Sequence, residues 1–260
     1  MPMMGERELK GTIASLRERI KGFVASADAA GVVIGVSGGI DSAVVATLCA
    51  PCVDTLALIM PAGDQSSPQD TQDAVDLCTE LGIQHAVIDI GGVVKAVEDN
   101  YTRQETISQM ALGNVKARVR MTYLYLCANM EKRLVVGTSN RSEWLIGYST
   151  KWGDSAADLY PIGALWKSEV YWLGSALGIP DAIMEKPPSA GLYPGQTDEA
   201  ELGASYDAID KILSLIVDER MSPTQAGKTV GNEPLARSLY KRMTNTAHKR
   251  VMPRSLEVSR

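Results

Sequence analysis

The residues best placed to do chemistry form a glycine-rich turn directly after the apolar run at residues 32–34. In chain order they are Gly35, Val36, Ser37, Gly38, Gly39, Ile40, Asp41 and Ser42. Gly38 and Gly39 allow the backbone to turn sharply and to approach a ligand closely, because neither carries a Cβ. A helix that begins after such a turn presents unpaired backbone N–H groups, which favour an anion. We therefore predict a phosphate-binding site at this turn.

An acidic residue, Asp41, lies inside this predicted anion site. A Walker A loop would carry a lysine directly after its last glycine, and no lysine follows here. A carboxylate beside phosphates makes sense when it holds a metal ion between itself and the phosphate oxygens. The pattern Ser-Gly-Gly-x-Asp-Ser is similar to that of enzymes that split ATP between its α and β phosphates.

The elements that must position this turn are short apolar segments, and they alternate along the chain with segments that have helical periodicity. We predict strands at 32–36, 55–60, 85–90 and 133–137, and helices at 6–27, 42–49, 68–81, 113–130, 166–177, 205–217 and 233–246. Short apolar strands that alternate with helices indicate an α/β fold with a doubly wound, mostly parallel sheet flanked by helices. We predict five strands in this Rossmann-like sheet, which resembles the sheet of the adenine nucleotide alpha hydrolases.

Polar residues follow two of the predicted strands. One set is the glycine-rich turn, and the other is Thr-Ser-Asn-Arg-Ser-Glu at 138–143. Ligands of doubly wound sheets bind at the carboxyl ends of the strands, so both sets should face one crevice. The irregular segment 186–197 is predicted to be a lid over that crevice, because long loops in compact domains are usually functional or disordered.

The composition suits one large α/β domain over residues 1–260. A net charge of −5 gives no reason to expect nucleic-acid binding, which requires a basic field. No apolar run approaches the ~18 residues of a membrane span and no signal peptide is recognisable, so we expect a cytoplasmic protein without membrane association. Cys49 and Cys52 have C-x-x-C spacing, but the chain has only two histidines, which favours core packing over zinc binding.

Four segments taken together resemble the ammonia-dependent NAD synthetase family, and the resemblance covers about residues 6–250. They are the glycine-rich turn, Gly-Asn-Val-Lys-Ala-Arg at 113–118, Gly-Thr-Ser-Asn-Arg-Ser-Glu at 137–143 and Tyr-Ser-Thr-Lys-Trp-Gly-Asp at 148–154. The resemblance implies a ligase that performs the last step of NAD biosynthesis. The carboxylate of deamido-NAD would attack the α-phosphate of ATP and release pyrophosphate, and ammonia would then displace AMP. Such a reaction depends on positioning and charge neutralisation, and no covalent side-chain nucleophile is expected.

The resemblance also implies roles for single residues. ATP would contact the eight residues of the turn together with Thr138, Lys167 and Ser189. Mg²⁺ would be held by Asp41 and Glu143, because carboxylates are hard oxygen donors that suit this ion. Deamido-NAD would contact Arg118, Lys151, Asp158, His248 and Lys249.

The same resemblance implies a homodimer in which the dinucleotide site lies across the interface, with the helices at 6–27 and 113–130 as candidate interface elements. A glutaminase domain is not expected within the chain, so free ammonia is the predicted nitrogen source, and delivery by a separate glutaminase subunit stays open.

Two other functions were weighed. Another ATP pyrophosphatase, such as a tRNA-thiolating enzyme, would need a catalytic cysteine pair or a basic RNA-binding appendage, and Cys49 and Cys52 lie on the wrong element for this role. A non-catalytic nucleotide-binding module of the same fold would have little need for both Asp41 and Glu143. An assay for AMP and NAD formation separates these alternatives from the synthetase.

Overall fold

The computed structural model describes residues 6–103, 106–189, 191, 193 and 195–253. The elements, in chain order, are α1 (Glu6–Ser26), β1 (Gly31–Gly35), α2 (Ile40–Cys49), β2 (Thr55–Ile59), α3 (Pro68–Glu80), β3 (Gln84–Val87), α4 (Gly91–Asp99), α5 (Gln109–Glu131), β4 (Arg133–Val136), α6 (Arg141–Ile146), α7 (Lys167–Leu177), α8 (Asp181–Met184), α9 (Asp198–Leu202), α10 (Tyr206–Val217), α11 (Pro223–Val230) and α12 (Glu233–Asn245). Within these ranges, no helix is long and apolar enough to cross a membrane.

The sheet is parallel throughout, in the order β3-β2-β1-β4. The chain adds β2 and β3 on one side of β1 and then returns to place β4 on the other side. This reversal creates a switch point between β1 and β4, where ligands bind in open α/β sheets. The predicted α/β fold is therefore confirmed, and the two polar strand ends face the same crevice.

The predicted number of strands is wrong, because the described residues form four strands and not five. Beside β4, at the edge of the sheet, a single parallel bridge joins Val136 to Leu159. Pro161 follows two residues later and has no backbone N–H with which to continue a ladder. The pairing therefore stops after one bridge.

Helices cover both faces of the sheet, because alternate strand residues point to opposite sides. In β1, Val32 and Ile34 join one core, which also contains residues of α1, α2, α3, α7 and α8. Val33 between them joins a second core with residues of α4 and α5. The five-residue run of β1 thus reads as continuously apolar, as expected for a strand buried on both faces.

A third cluster of buried residues joins the C-terminal helices to the crevice. Trp166, directly before α7, and Ile146, at the end of α6, pack there with residues of α10, α11 and α12. This packing fixes the two helices whose first turns face the crevice. The sequence prediction located α10 and α12 but did not include α11, although Ser222 and Gln225 form a capping box at its start.

Candidate active site

The glycine-rich turn connects β1 to α2 and is held by its own serines. Ser42 donates to the Gly39 carbonyl (2.9 Å) and accepts the backbone N–H of Ser37 (3.1 Å). Gly38 adopts φ +80°, and a Cβ at this position would lie 2.2 Å from the Asp70 carbonyl oxygen. Only glycine satisfies both the left-handed backbone and this close approach. The turn is thus shaped before any ligand binds.

Two carboxylates and one ammonium group meet beside this turn. Asp41 lies in the first turn of α2, Glu143 in the first turn of α6, and Lys167 begins α7. The Lys167 Nζ donates to Asp41 Oδ2 and to Glu143 Oε1, the latter at 3.2 Å. Asn140 supports the pair, because its Nδ2 donates to Asp41 Oδ1 (2.9 Å) and its Oδ1 accepts the Glu143 N–H (3.0 Å). The side chains predicted from two distant segments are therefore brought together.

Burial and mutual charge perturb this group strongly. Desolvation would by itself lower the pKa of Lys167, but the carboxylates of Asp41 and Glu143 outweigh it and raise that pKa. Burial raises the pKa of Glu143, with Asp41 adding repulsion and Lys167 opposing both. Lys167 thus stays positively charged in a site that is only 3% exposed at its side chain. Such a fixed charge suits a site that must bind phosphates.

The donor set of this site fits a magnesium ion. Asp41 and Glu143 each place a carboxylate oxygen at the Lys167 ammonium group, and both are hard oxygen donors. Among the described residues, no group of three or more His, Cys, Asp or Glu side chains is placed to hold a metal. Two carboxylates suffice for Mg²⁺, which keeps several waters and binds substrate phosphates.

Asp210 aligns the two helices that carry Glu143 and Lys167. Its Oδ1 accepts the hydroxyl of Ser142 (2.5 Å) and its Oδ2 accepts the backbone N–H of Ser168 (2.9 Å). The Ser142 hydroxyl in turn accepts the Lys167 N–H (2.9 Å). Sequence reasoning missed Asp210, since an aspartate in an amphipathic helix normally lies on the solvated face. Its place on the apolar face of α10, four residues after Tyr206 and three before Leu213, was the available signal.

The other residues predicted to contact ATP lie at the edge of the crevice. Thr138 follows β4 by two residues and is half-buried. Ser189 is exposed, and its hydroxyl accepts the Gly191 N–H (3.1 Å). The lid segment containing Ser189 is joined to the glycine-rich turn by Lys186, which donates to the Gly38 carbonyl (3.0 Å) and to Asp70 (2.7 Å). ATP binding by Thr138 and Ser189 stays a prediction.

Three of the residues predicted to bind deamido-NAD, Arg118, Lys151 and Asp158, lie on α5 and in the segment after α6. Arg118 on α5 donates to the Lys151 carbonyl (3.2 Å), so these two predicted contacts are neighbours. Thr150 donates to Asn114 Oδ1 (2.7 Å), which joins the same two segments a second time. Asp158 instead accepts the Val135 N–H (2.8 Å) at the sheet edge.

The last predicted pair, His248 and Lys249, lies in a short 3₁₀ turn after α12. Lys249 Nζ donates to the carbonyls of Gly147 (2.7 Å) and Ser149 (2.6 Å), and so supports the turn that carries Lys151. His248 is exposed. A direct contact between this pair and deamido-NAD stays a prediction.

The cysteine pair is not placed for catalysis. Cys49 is completely buried, and burial raises the pKa of its thiol to about 12. A thiol of this kind is not a nucleophile at neutral pH. Cys52 packs against the same core. The sequence-based preference for core packing is confirmed, which removes the support for a thiol-dependent ATP pyrophosphatase.

Comparisons with known proteins agree with this geometry. A family model described as NAD synthase matches residues 12–253. The chain is 43% identical over 251 residues to an NH(3)-dependent NAD(+) synthetase of Hyperthermus butylicus, covering 95% of this chain and 90% of that relative.

Two solved structures are similar over nearly the whole chain. One is an NMN synthetase from Francisella tularensis, with a TM-score of 0.85 and 37% identity, covering 96% of this chain and 99% of that one. The other is an NH3-dependent NAD synthetase from Campylobacter jejuni, with a TM-score of 0.81 and 32% identity at the same coverage.

Proposed function

The chain belongs to the NAD synthase family, and from that premise we propose how its crevice carries out the reaction. The protein is an ATP-dependent ligase that amidates deamido-NAD with ammonia, the last step of NAD biosynthesis. In the proposed route, ATP binds at the glycine-rich turn and the nicotinate carboxylate reaches the α-phosphate from the side of β4. The adenylated carboxylate then reacts with ammonia and releases AMP.

The observation that carries this assignment is the convergence of Asp41 and Glu143 beside the glycine-rich turn, at the switch point between β1 and β4. Phosphoryl and nucleotidyl transfer depend on positioning and on stabilising charge, with little covalent chemistry from the protein. Lys167 contributes a permanent positive charge, and the N-terminus of α2 adds backbone N–H groups. Asp41 and Glu143 would hold Mg²⁺, which when bound would neutralise negative charge on the phosphates.

Arg118 and Lys151 are proposed to bind the phosphates of deamido-NAD. Both are cationic and they are neighbours in space. Arg118 lies on α5, which packs against both β1 and β4, so a second polyanion placed there would lie near the switch point between these strands. Asp158, His248 and Lys249 would complete this half of the site, with Lys249 also supporting its backbone.

We propose a homodimer built on α5. Three large apolar side chains of this helix are strongly exposed: Met110 (72%), Leu126 (55%) and Met130 (78%). Leu126 and Met130 are four residues apart and therefore share one face of the helix, and exposed apolar surface marks interaction sites. Because α5 also carries Arg118, an interface there would place the deamido-NAD site beside the second subunit. We further propose one synthetase domain over residues 1–260, a cytoplasmic location, and the use of ammonia that is free or supplied by a separate glutaminase.

The likeness to an NMN synthetase favours a second acceptor, nicotinic acid mononucleotide. This molecule presents the same nicotinate carboxylate as deamido-NAD and lacks the adenylate half. The glycine-rich turn and the carboxylate pair would act identically on both acceptors, so discrimination would depend on the region around Arg118 and Lys151.

The test is incubation of the purified protein with ATP, Mg²⁺ and ammonium, with deamido-NAD or nicotinic acid mononucleotide as acceptor. We expect NAD and AMP from deamido-NAD, and the ratio of kcat/KM values for the two acceptors measures the preference. A larger kcat/KM for the mononucleotide would reassign the main substrate. Release of ADP in place of AMP would contradict the proposed chemistry.

A further inference from the structure

A buried carboxylate oxygen close to the candidate active site has no partner. Asp198 begins α9, directly after the lid segment, and is 3% exposed. Its Oδ2 accepts the hydroxyl of Tyr206 (3.0 Å). Its Oδ1 is buried without a hydrogen-bond partner anywhere in the described ranges. A buried carboxylate oxygen left unpaired is costly, so a donor is expected from outside the chain.

The surroundings of Asp198 leave this oxygen available. The Tyr148 hydroxyl lies close to Asp198, but its proton is donated to Glu201 at 2.7 Å. Lys167 attracts Asp198 electrostatically, yet its ammonium group is hydrogen-bonded to Asp41 and Glu143. The same ammonium lies 5.2 Å from the centroid of the Tyr206 ring. Asp198 therefore lies beside the group at which the reaction is proposed to occur, and the short hydrogen bonds of Tyr148 and Lys167 go to other carboxylates.

We propose that Asp198 is the binding site for ammonium, the third substrate, an inference that rests on the proposed function. Ammonium has four N–H donors, one positive charge and no acceptor, which is the complement of an unpaired carboxylate oxygen. The reacting parts of the other two substrates are a phosphate and a carboxylate, and both would be repelled by Asp198. Among their remaining groups, only ribose hydroxyls and the adenine amino group donate hydrogen bonds.

A groove lies beside residues that neighbour Asp198. It has a volume of about 320 Å³ and opens beside Tyr206, the residue that donates to Asp198. Its lining includes Pro188 of the lid and two acidic residues, Glu199 and Asp207, and no basic residue among the described ones. A groove that is lined by charges of one sign raises the local concentration of ions of the opposite charge. The groove thus favours a small cation over ATP or deamido-NAD.

The test compares the three substrates in an Asp198→Asn variant. A charge-assisted hydrogen bond lost to ammonium should raise the KM for ammonium by about 10- to 100-fold. The KM values for ATP and deamido-NAD should stay within about 2-fold. Asp76→Asn is the control, because it removes an exposed carboxylate from α3, outside the residues that line this groove. This control should leave the KM for ammonium nearly unchanged.

A second measurement does not depend on turnover. Thallium(I), a monovalent cation of nearly the same size as ammonium, should give an anomalous peak beside Asp198 Oδ1 in wild-type crystals and none in Asp198→Asn. An equal rise of all three KM values, a rise for ATP alone or the absence of the thallium peak would each overturn the proposal. If the wild type formed no amide from either acceptor, the proposed function would fail, and the thallium peak would then decide the cation site by itself.

Discussion

Replacing Lys167 by methionine tests the charge balance at the centre of the site. The substitution keeps the length and apolar packing of the side chain and leaves Asp41 and Glu143 buried side by side without a cation. Removing one partner of a buried ion pair typically costs about 3–5 kcal/mol, because an uncompensated charge remains. That is a large share of the roughly 5–15 kcal/mol by which a domain is stable. We therefore expect a strongly destabilised variant at neutral pH.

The loss of stability in Lys167→Met should depend on pH in a defined direction. Burial raises the pKa of Glu143 in the wild type, and removal of Lys167 would raise it further. The folded variant would then hold a proton that the unfolded chain releases above about pH 4.3, the ordinary glutamate value. The folded wild type holds the same proton until the pH approaches about 8, so the two proteins differ in this titration only above that value. The stability of the variant relative to wild type should consequently fall as the pH rises above about 8, and the deficit should be smaller in acid. In the wild type, the raised pKa of Lys167 makes its contribution fully present below about pH 10.4, and this contribution is lost as the pH rises through the higher folded pKa.

Urea titration from about pH 6 to about pH 10 measures this difference, because the range spans the raised pKa of Glu143. Lys95→Met is the control, because Lys95 forms an ion pair of the same type with Asp99 on the surface of α4, where both side chains are mostly exposed. Its denaturation midpoint should match that of the wild type at every pH. A Lys167→Met protein with wild-type stability at pH 7, or with a deficit that is constant across the range, would refute this account of the three charges.

Three further predictions concern the two substrate sites. Asp41→Asn should lower kcat, measured as AMP release, by roughly 1,000-fold, because it removes a charge from the proposed metal site. Its circular dichroism spectrum should match that of wild type, and near-normal turnover at saturating Mg²⁺ would contradict the metal assignment. Arg118→Ala should raise the KM for deamido-NAD by about 10-fold or more and that for ATP by less than about 2-fold, and equal increases would exclude a selective role. Gly38→Ala should destabilise the protein by about 1–3 kcal/mol in urea titrations and weaken ATP binding, because its Cβ would meet the Asp70 carbonyl. Gly63→Ala is the control, because Gly63 also has a positive φ (+56°) but its Cβ would meet open space. It should therefore lower the free energy of unfolding by less than Gly38→Ala does.

The fold was predictable to the extent that it depends on local pattern. Strands β1 and β2 are continuous apolar runs, and α1 has a regular amphipathic period, so their bounds were predicted to within a few residues. The start of α5 was predicted four residues too late, since its first turn carries no apolar period and begins at the cap residue Ser108. The number of strands was predicted wrongly. Beside β4 the described residues form one bridge at Leu159, and Pro161 two residues later has no N–H to continue a ladder.

The candidate site was predictable where a motif is contiguous. Asp41 belongs to the glycine-rich turn, and Glu143 and Asn140 belong to the polar segment after β4. Lys167 was expected as a phosphate contact, and its ion pairs with both carboxylates were not foreseen. Asp198 was not recognised as a site residue, because an aspartate at the start of a short helix is an ordinary first-turn residue unless its burial is known.

The amino-acid sequence by itself determined the phosphate-binding turn, because Gly38, Ser37 and Ser42 shape that turn through contacts within a few residues of one another. It also determined the α/β class, because strand and helix periods are local. Only the tertiary structure decided which charges share a site. Asp41 meets Glu143 because β4 pairs with β1, and that pairing follows from burying both faces of the sheet rather than from any local signal. The unpaired oxygen of Asp198 is likewise a property of packing, since hydrogen bonds are satisfied or left open only when distant segments meet.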